Sequence, residues 1–202
     1  MQENEIIVPI LPKKALKWLI LPLVMIPLLV WGVLALTKKP PVAITFEGKS
    51  ILEKPQGAID RSSYQPLGFD VLAGFKYFTP NGGMPLNPGQ KLESQMPKEI
   101  SALDGRKVAV RGYMIPLTFE GTGVKRFVAA EMPPACCFGD SMKMNQWIDV
   151  AVAQGNTASY RSDEWVVVFG TLHVGEKVEN GFVASVYRLD ADDVILPGSA
   201  GP

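Results

Sequence analysis

Cys136 and Cys137 are the only cysteines of the 202-residue chain, and they are adjacent, inside Pro133-Pro134-Ala135-Cys136-Cys137-Phe138-Gly139-Asp140. Neighbouring Cα atoms lie about 3.8 Å apart across a trans peptide, whereas a relaxed disulfide needs roughly 4.4–6.8 Å. A bond between the two is strained, so four readings stand: buried inert thiols, a metal site, a redox pair, or a link to another chain. In an extended strand the two side chains face opposite ways and cannot clasp one ion. The flanking Pro133-Pro134 and Gly139 predict a loop, in which they can converge. Met132, Met142 and Met144 lie nearby in sequence. Thiolate with thioether suits Cu(I), and adding Asp140 or the lone histidine, His173, suits Zn²⁺ better. The candidate metal set is therefore Cys136, Cys137, Asp140, Met142, Met144 and His173. Against it, the chain has no Cys-x-x-Cys spacing and no histidine cluster. Methionine and cysteine also fill cores as ordinary apolar residues.

Other chemistries have less behind them. A reactive thiol needs a nearby cation or a helix N-terminus to lower its pKa. Lys143 and Arg126 are candidate cations, but nothing in the spacing places them beside the thiols. No serine sits in a nucleophile elbow. His173 follows Gly170-Thr171-Leu172 and reads as a surface or hydrogen-bonded residue at a strand end. Asp190-Ala191-Asp192-Asp193 reads as a solvated turn and lacks the spacing of a calcium loop. Twenty basic and twenty acidic residues cancel, which argues against a nucleic-acid partner, since such binders carry a basic excess or stripe.

The elements that would position these residues divide the chain. Residues 1–17 form a short tail and 18–37 an anchor, because Trp18 to Leu36 carries no charge and approaches the length of a ~30 Å hydrocarbon core at about 1.5 Å per residue. Pro22 and Pro27 are tolerated in a membrane helix more readily than in a soluble one. A cleaved signal peptide is the rival reading, but Leu34-Ala35-Leu36-Thr37 is not a small-x-small cleavage site. Lys13, Lys14 and Lys17 before the span against Lys38 and Lys39 after it favour a cytoplasmic N-terminus and an exported C-terminal domain. Residues 38–64, with Pro40-Pro41, Pro55 and scattered glycine, read as a stalk. Residues 65–202 then form the exported domain with an N-terminal extension.

That domain is mainly β. Lys107–Leu117, Lys125–Met132, Trp147–Val152, Glu164–Val174 and Phe182–Leu189 alternate and are rich in β-branched residues, with 193–196 extending the last. In the fourth strand Trp165, Val167 and Phe169 share one face, while Val166, Val168 and Leu172 share the other, which predicts a strand covered on both sides. Gly112 and Gly170 inside strands mark bends that let a small sheet close. The expectation is an OB-like five-stranded barrel preceded by a transmembrane helix and a stalk, with a small open sandwich as the alternative. Before it, 67–78 predicts a short helix ending near Gly74, packed against the barrel, and Pro97 opens another short helix.

The ordered set Ala102-Leu103-Asp104-Gly105-Arg106-Lys107-Val108, Arg111-Gly112-Tyr113-Met114-Ile115-Pro116-Leu117, Ala135-Cys136-Cys137-Phe138-Gly139, Asn145-Gln146-Trp147, Gly170-Thr171-Leu172, Val174-Gly175-Glu176, Gly181-Phe182 and Tyr187-Arg188-Leu189 resembles the domain-of-unknown-function 3299 family over about residues 96–194. The Cys-Cys with its following aspartate also resembles part of a second uncharacterised membrane-protein family with an OB-like tail. The first resemblance implies an exported bacterial envelope domain, sometimes associated with transport systems, and supplies no catalytic residue. The expected function is a non-enzymatic, membrane-anchored envelope accessory or binding module, partnered by the lipid bilayer and an envelope transport protein. The alternative is a periplasmic-side metal-binding or thiol-redox protein using the vicinal cysteines, with Zn or Cu(I) as cofactor.

Overall fold

The structure, a computed structural model, describes residues 46–54, 59–133 and 142–197. The expected anchor at 18–37 and the loop holding Cys136, Cys137 and Asp140 lie outside these residues. Among the described residues, no helix is long and apolar enough to cross a membrane.

Five long strands appear where alternation predicts them: β3 (Lys107–Glu120), β4 (Gly123–Ala130), β5 (Trp147–Val152), β6 (Trp165–Glu179) and β7 (Phe182–Pro197). Two short ones precede them, β1 (Gly48–Ser50) and β2 (Gln65–Leu67). β4 lies between β3 and β5, antiparallel to both. β5 runs parallel to β7, β7 pairs antiparallel with β6, and β6 returns antiparallel to β3. The pairings thus close a ring of five strands. One side of each long strand feeds a single apolar cluster, including Val108, Met114, Phe127, Ile148, Leu172 and Leu189.

β6 and β7 are longer than alternation alone indicates. Asn180 and Gly181 both take positive φ, 52° and 83°. That is the backbone of a two-residue hairpin turn whose twist matches its strands. The turn carries the ladder through Val178↔Val183 and Glu179↔Phe182, beyond the five-strand ring. Gly170 sits at a register shift between β6 and β7. A Cβ there would run into the Asp190 carbonyl oxygen, so glycine is what allows the two backbones to approach.

The outer face of β6 is also covered. Val167 and Phe169 join Tyr64, Ala109 and Ile195 in a second small cluster. The Tyr64 ring meets Phe169 edge-on at 5.5 Å, and Phe46 does so at 6.2 Å. The cover is the segment read above as a stalk. From Gly48 it pairs with β7 through Gly48↔Pro197 and Ser50↔Ile195. β2 then adds in parallel to β3. Polar bonds hold this strap. Arg61 reaches Asp193 at 2.9 Å, the Ser50 hydroxyl donates to the same carboxylate at 2.6 Å, and the Tyr64 phenol donates to Asp192 at 2.8 Å.

The two short helices are α1 (Phe69–Leu72) and α2 (Lys98–Ser101). Pro97 stands just before α2, where its missing N–H costs nothing. Phe69 and Leu72 are buried in the main cluster, and the Tyr187 phenol donates to the Leu72 carbonyl at 2.9 Å. The aromatic stretch 69–78 therefore packs on the ring. Residues 75–79 form no strand; the Phe78 amide and carbonyl instead bond the Gln95 side chain, and the Phe75 carbonyl accepts from Asn145.

Candidate functional site

Residues 190–193 read as a solvated turn from their charge, and the structure corrects this. They lie within β7, and each carboxylate has its own partner. Asp190 meets His173 Nε2 at 3.0 Å, Asp192 accepts from Tyr64, and Asp193 accepts from Arg61 and Ser50. Acidic residues persist in the strand because Asp190 and Asp192 alternate away from the main cluster, and the register shift that leaves Asp192 unpaired between Ala191 and Asp193 turns Asp193 outward as well.

Asp190 leads to a cleft. It opens on the outer face of the ring, across β4, β5, β7 and β6, with a volume of about 270 Å³ and a lining of Arg126, Asp149, Ala151, Lys177, Arg188 and Asp190. Strand register fixes this grouping. Arg126 stands beside Ala151, Ala151 beside Asp190, and Asp149 beside Arg188. Their sequence neighbours Phe127, Ile148, Val150, Tyr187 and Leu189 are buried in the main cluster, so the charged members must face outward. Ala151 has no side chain beyond Cβ, and it leaves the hollow between the Arg126 and Asp190 columns.

One wall of the cleft is an ion pair. Arg126 grips Asp149 with two bonds, Nε to Oδ1 at 3.1 Å and Nη2 to Oδ2 at 2.6 Å. This is the fork geometry in which a guanidinium binds a carboxylate most firmly. The Asp149 hydrogen bonds raise the Arg126 pKa above its already high ordinary value, against the opposing effect of burial. Asp149 is only 8% exposed, so its charge depends on that partner. Across the cleft, Arg188 Nη1 donates to the Gly175 carbonyl at 3.0 Å. At the rim, Lys177 and Glu179 pair at 2.6 Å. The Lys177 ammonium holds the Glu179 carboxyl below the usual range.

Of the metal candidates, His173 stands beside this cleft through Asp190. Met144 packs against the main apolar cluster, and Met142 is half-buried. Cys136, Cys137 and Asp140 lie outside the described residues. Among the described residues, no three His, Cys, Asp or Glu side chains group so as to hold a metal ion. The cleft itself was missed. Its signal is a set of charged residues at outward positions of four strands, Arg126, Asp149, Lys177, Arg188 and Asp190, of which Arg126 entered the sequence reading only as a candidate cation for the thiols. Nothing local says that those five positions meet.

A family model described as a protein of unknown function, DUF3299, matches residues 87–196. A solved structure of a DUF3299 family protein from Pseudomonas aeruginosa PAO1 is similar at 21% identity and a TM-score of 0.48, covering 68% of this chain and 99% of that one. No curated protein matches the chain.

Proposed function

The chain belongs to the DUF3299 family, whose function is unknown, and from that premise we propose that it is a membrane-anchored envelope binding module that does no catalysis, built on an OB-like five-stranded barrel. The pairing order supports the architecture. Counting β3 to β7 as first to fifth, the ring runs first, second, third, fifth, fourth and back to first. OB-type barrels bind ligands on the face of their second and third strands. The observation that carries the reading is the cleft, because Arg126, Asp149 and Ala151 lie on those two strands. Its charged walls are held in place by hydrogen bonds before any ligand arrives, which lowers the ordering cost of binding.

The uncharged run from Trp18 to Leu36 and the lysine bias support an anchor with the barrel on the periplasmic side and a partner in an envelope transport system. Two experiments test this. Alkaline phosphatase fused after Pro202 is expected to be active in cells; an inactive fusion rejects export. A compound screen on the full-length protein in neutral detergent is expected to yield a ligand that shifts the Ala151 and Asp190 amide resonances and is recovered unchanged. Conversion of that ligand rejects the non-catalytic half.

A further inference from the structure

We infer that the cleft takes a monoanionic oxyanion group, a carboxylate or a phosphodiester, seated on Arg188 with Lys177 closing over it; this rests on the binding reading above. Among the described residues, Arg188 is the one cation lining the cleft that lacks a carboxylate partner. Arg126 is spent on Asp149 and Lys177 on Glu179, whereas Arg188 bonds only the neutral Gly175 carbonyl. That single bond tethers one end of the guanidinium. The remaining N–H groups are left for a two-oxygen acceptor, the geometry that arginine recognises best. The nearest carboxylate in sequence, Asp190, is engaged by His173.

Lys177 supplies the second contact. Its pair with Glu179 joins two side chains that are each more than 40% exposed. Exposed pairs of this kind contribute little stability, so a ligand oxygen can take the place of Glu179 on the ammonium. Ala151 provides the floor. A volume of about 270 Å³ lies just below the range of about 300–1,000 Å³ typical of small-molecule sites, and it seats one group of a ligand rather than a large molecule.

The surrounding charge selects the ligand's valence. Arg126, Lys177 and Arg188 face Asp149 and Asp190 in the lining, and Glu179 acts on Arg126 from the rim. Three bases meet three acids, with His173 beside Asp190. One negative charge is met by Arg188 without breaking an ion pair, whereas a second is balanced only if Glu179 gives up Lys177 entirely. A carboxylate or phosphodiester is thereby favoured over a phosphate monoester dianion.

The test uses full-length ¹⁵N-labelled protein in neutral detergent at constant ionic strength, titrated with acetate, dimethyl phosphate and inorganic phosphate. Acetate or dimethyl phosphate is expected to shift the Arg188 Nε–H and Asp190 amide resonances saturably, and the tighter of the two names the source. Arg188→Ala should weaken that binding at least tenfold and Lys177→Ala several-fold. If Arg188→Ala does not fold, Arg188→Lys, which keeps the charge and loses the fork, should weaken acetate in the same direction. Shifts no different from sodium chloride, undiminished binding by the Arg188 variants, or tightest binding of phosphate at pH 8 overturns the inference. If the anions do nothing while a neutral or cationic compound from the screen shifts Ala151 and Asp190, the inference falls and the binding reading stands. If no compound shifts the cleft, both fall.

Discussion

Asp149 carries a charge with 8% of its surface in contact with solvent, and Arg126 is what makes that tolerable. The two sides of the pair are not equivalent. The Arg126 side chain is 40% exposed, against 10% for Asp149. Removing the aspartate returns a guanidinium to water. Removing the arginine strands a buried carboxylate, and an unpaired buried charge is far more costly than a lost bond. Arg126→Ala should therefore destabilise by about 2–4 kcal/mol and Asp149→Ala by about 1 kcal/mol, read from urea unfolding midpoints at pH 7. Equal losses at pH 7 would mean that water reaches Asp149 freely. Asp193, also buried, uses Arg61, Ser50 and the Val194 amide in the same way. At this scale the acidic run of β7 is a row of anchoring points for other segments.

Among the elements, the junction of β6 and β7 sets the shape of the ring. A Cβ at Gly170 would meet the Asp190 carbonyl oxygen, which cannot move without shifting the ladder, and lie 2.5 Å from Leu189 Cδ2. Gly170→Ala is expected to cost about 3 kcal/mol or more by overpacking. Gly155→Ala, at φ 78° with open space around it, should cost only the left-handed backbone penalty of about 1–2 kcal/mol. Calorimetric melting of both variants checks this; a Gly170 loss as small as that at Gly155 would remove the closure argument. Gly170 was legible because a glycine inside an alternating apolar strand has few other uses. The five long strands were legible for a related reason: each buries one face, so its pattern is written locally. β6 disclosed even its outer cover, since Val167 and Phe169 are apolar on the side that a solvated strand leaves polar. What covers that face was not legible. β1 and β2 are three residues each, too short for periodicity, and Phe46, Ile59 and Tyr64 are scattered among prolines and charges that resemble a stalk. The ends of β6 and β7 depended on the Asn180-Gly181 turn rather than on alternation.

Across the whole molecule, the cleft was illegible because no two of its strands contribute neighbouring residues in sequence; register alone brings Arg126, Asp149, Arg188 and Lys177 together. Apart from His173, the metal candidates stand close together in sequence, and among those the structure describes His173 alone comes to the cleft, through Asp190. The same long-range logic ties the segment before β3 to the ring, and it does so through phenols. Tyr64 joins the strap to Asp192, Tyr187 joins β7 to α1 at Leu72, and the Tyr77 hydroxyl lies 3.5 Å from Glu176. Burial raises the pKa of all three, and the Asp192 and Glu176 carboxylates add to the rise at Tyr64 and Tyr77. An acid whose pKa is raised by folding keeps its proton in the native state after the unfolded chain has lost it. The folded state is therefore undiminished below the ordinary tyrosine value of 10.0 and loses stability as pH climbs beyond it. Each tyrosine adds a slope approaching about 1.4 kcal/mol per pH unit. Urea unfolding between pH 8 and 11.5 should show a plateau, then a fall that steepens above pH 10, with tyrosinate absorbance lagging until the protein opens. Tyr64→Phe cannot ionise, so its slope should be shallower by one tyrosine's share while its plateau is lower for want of the Asp192 bond. Stability that stays level from pH 9 to 11, or a Tyr64→Phe slope as steep as that of the parent, would show that these phenols are open to water and do not hold the segment to the ring.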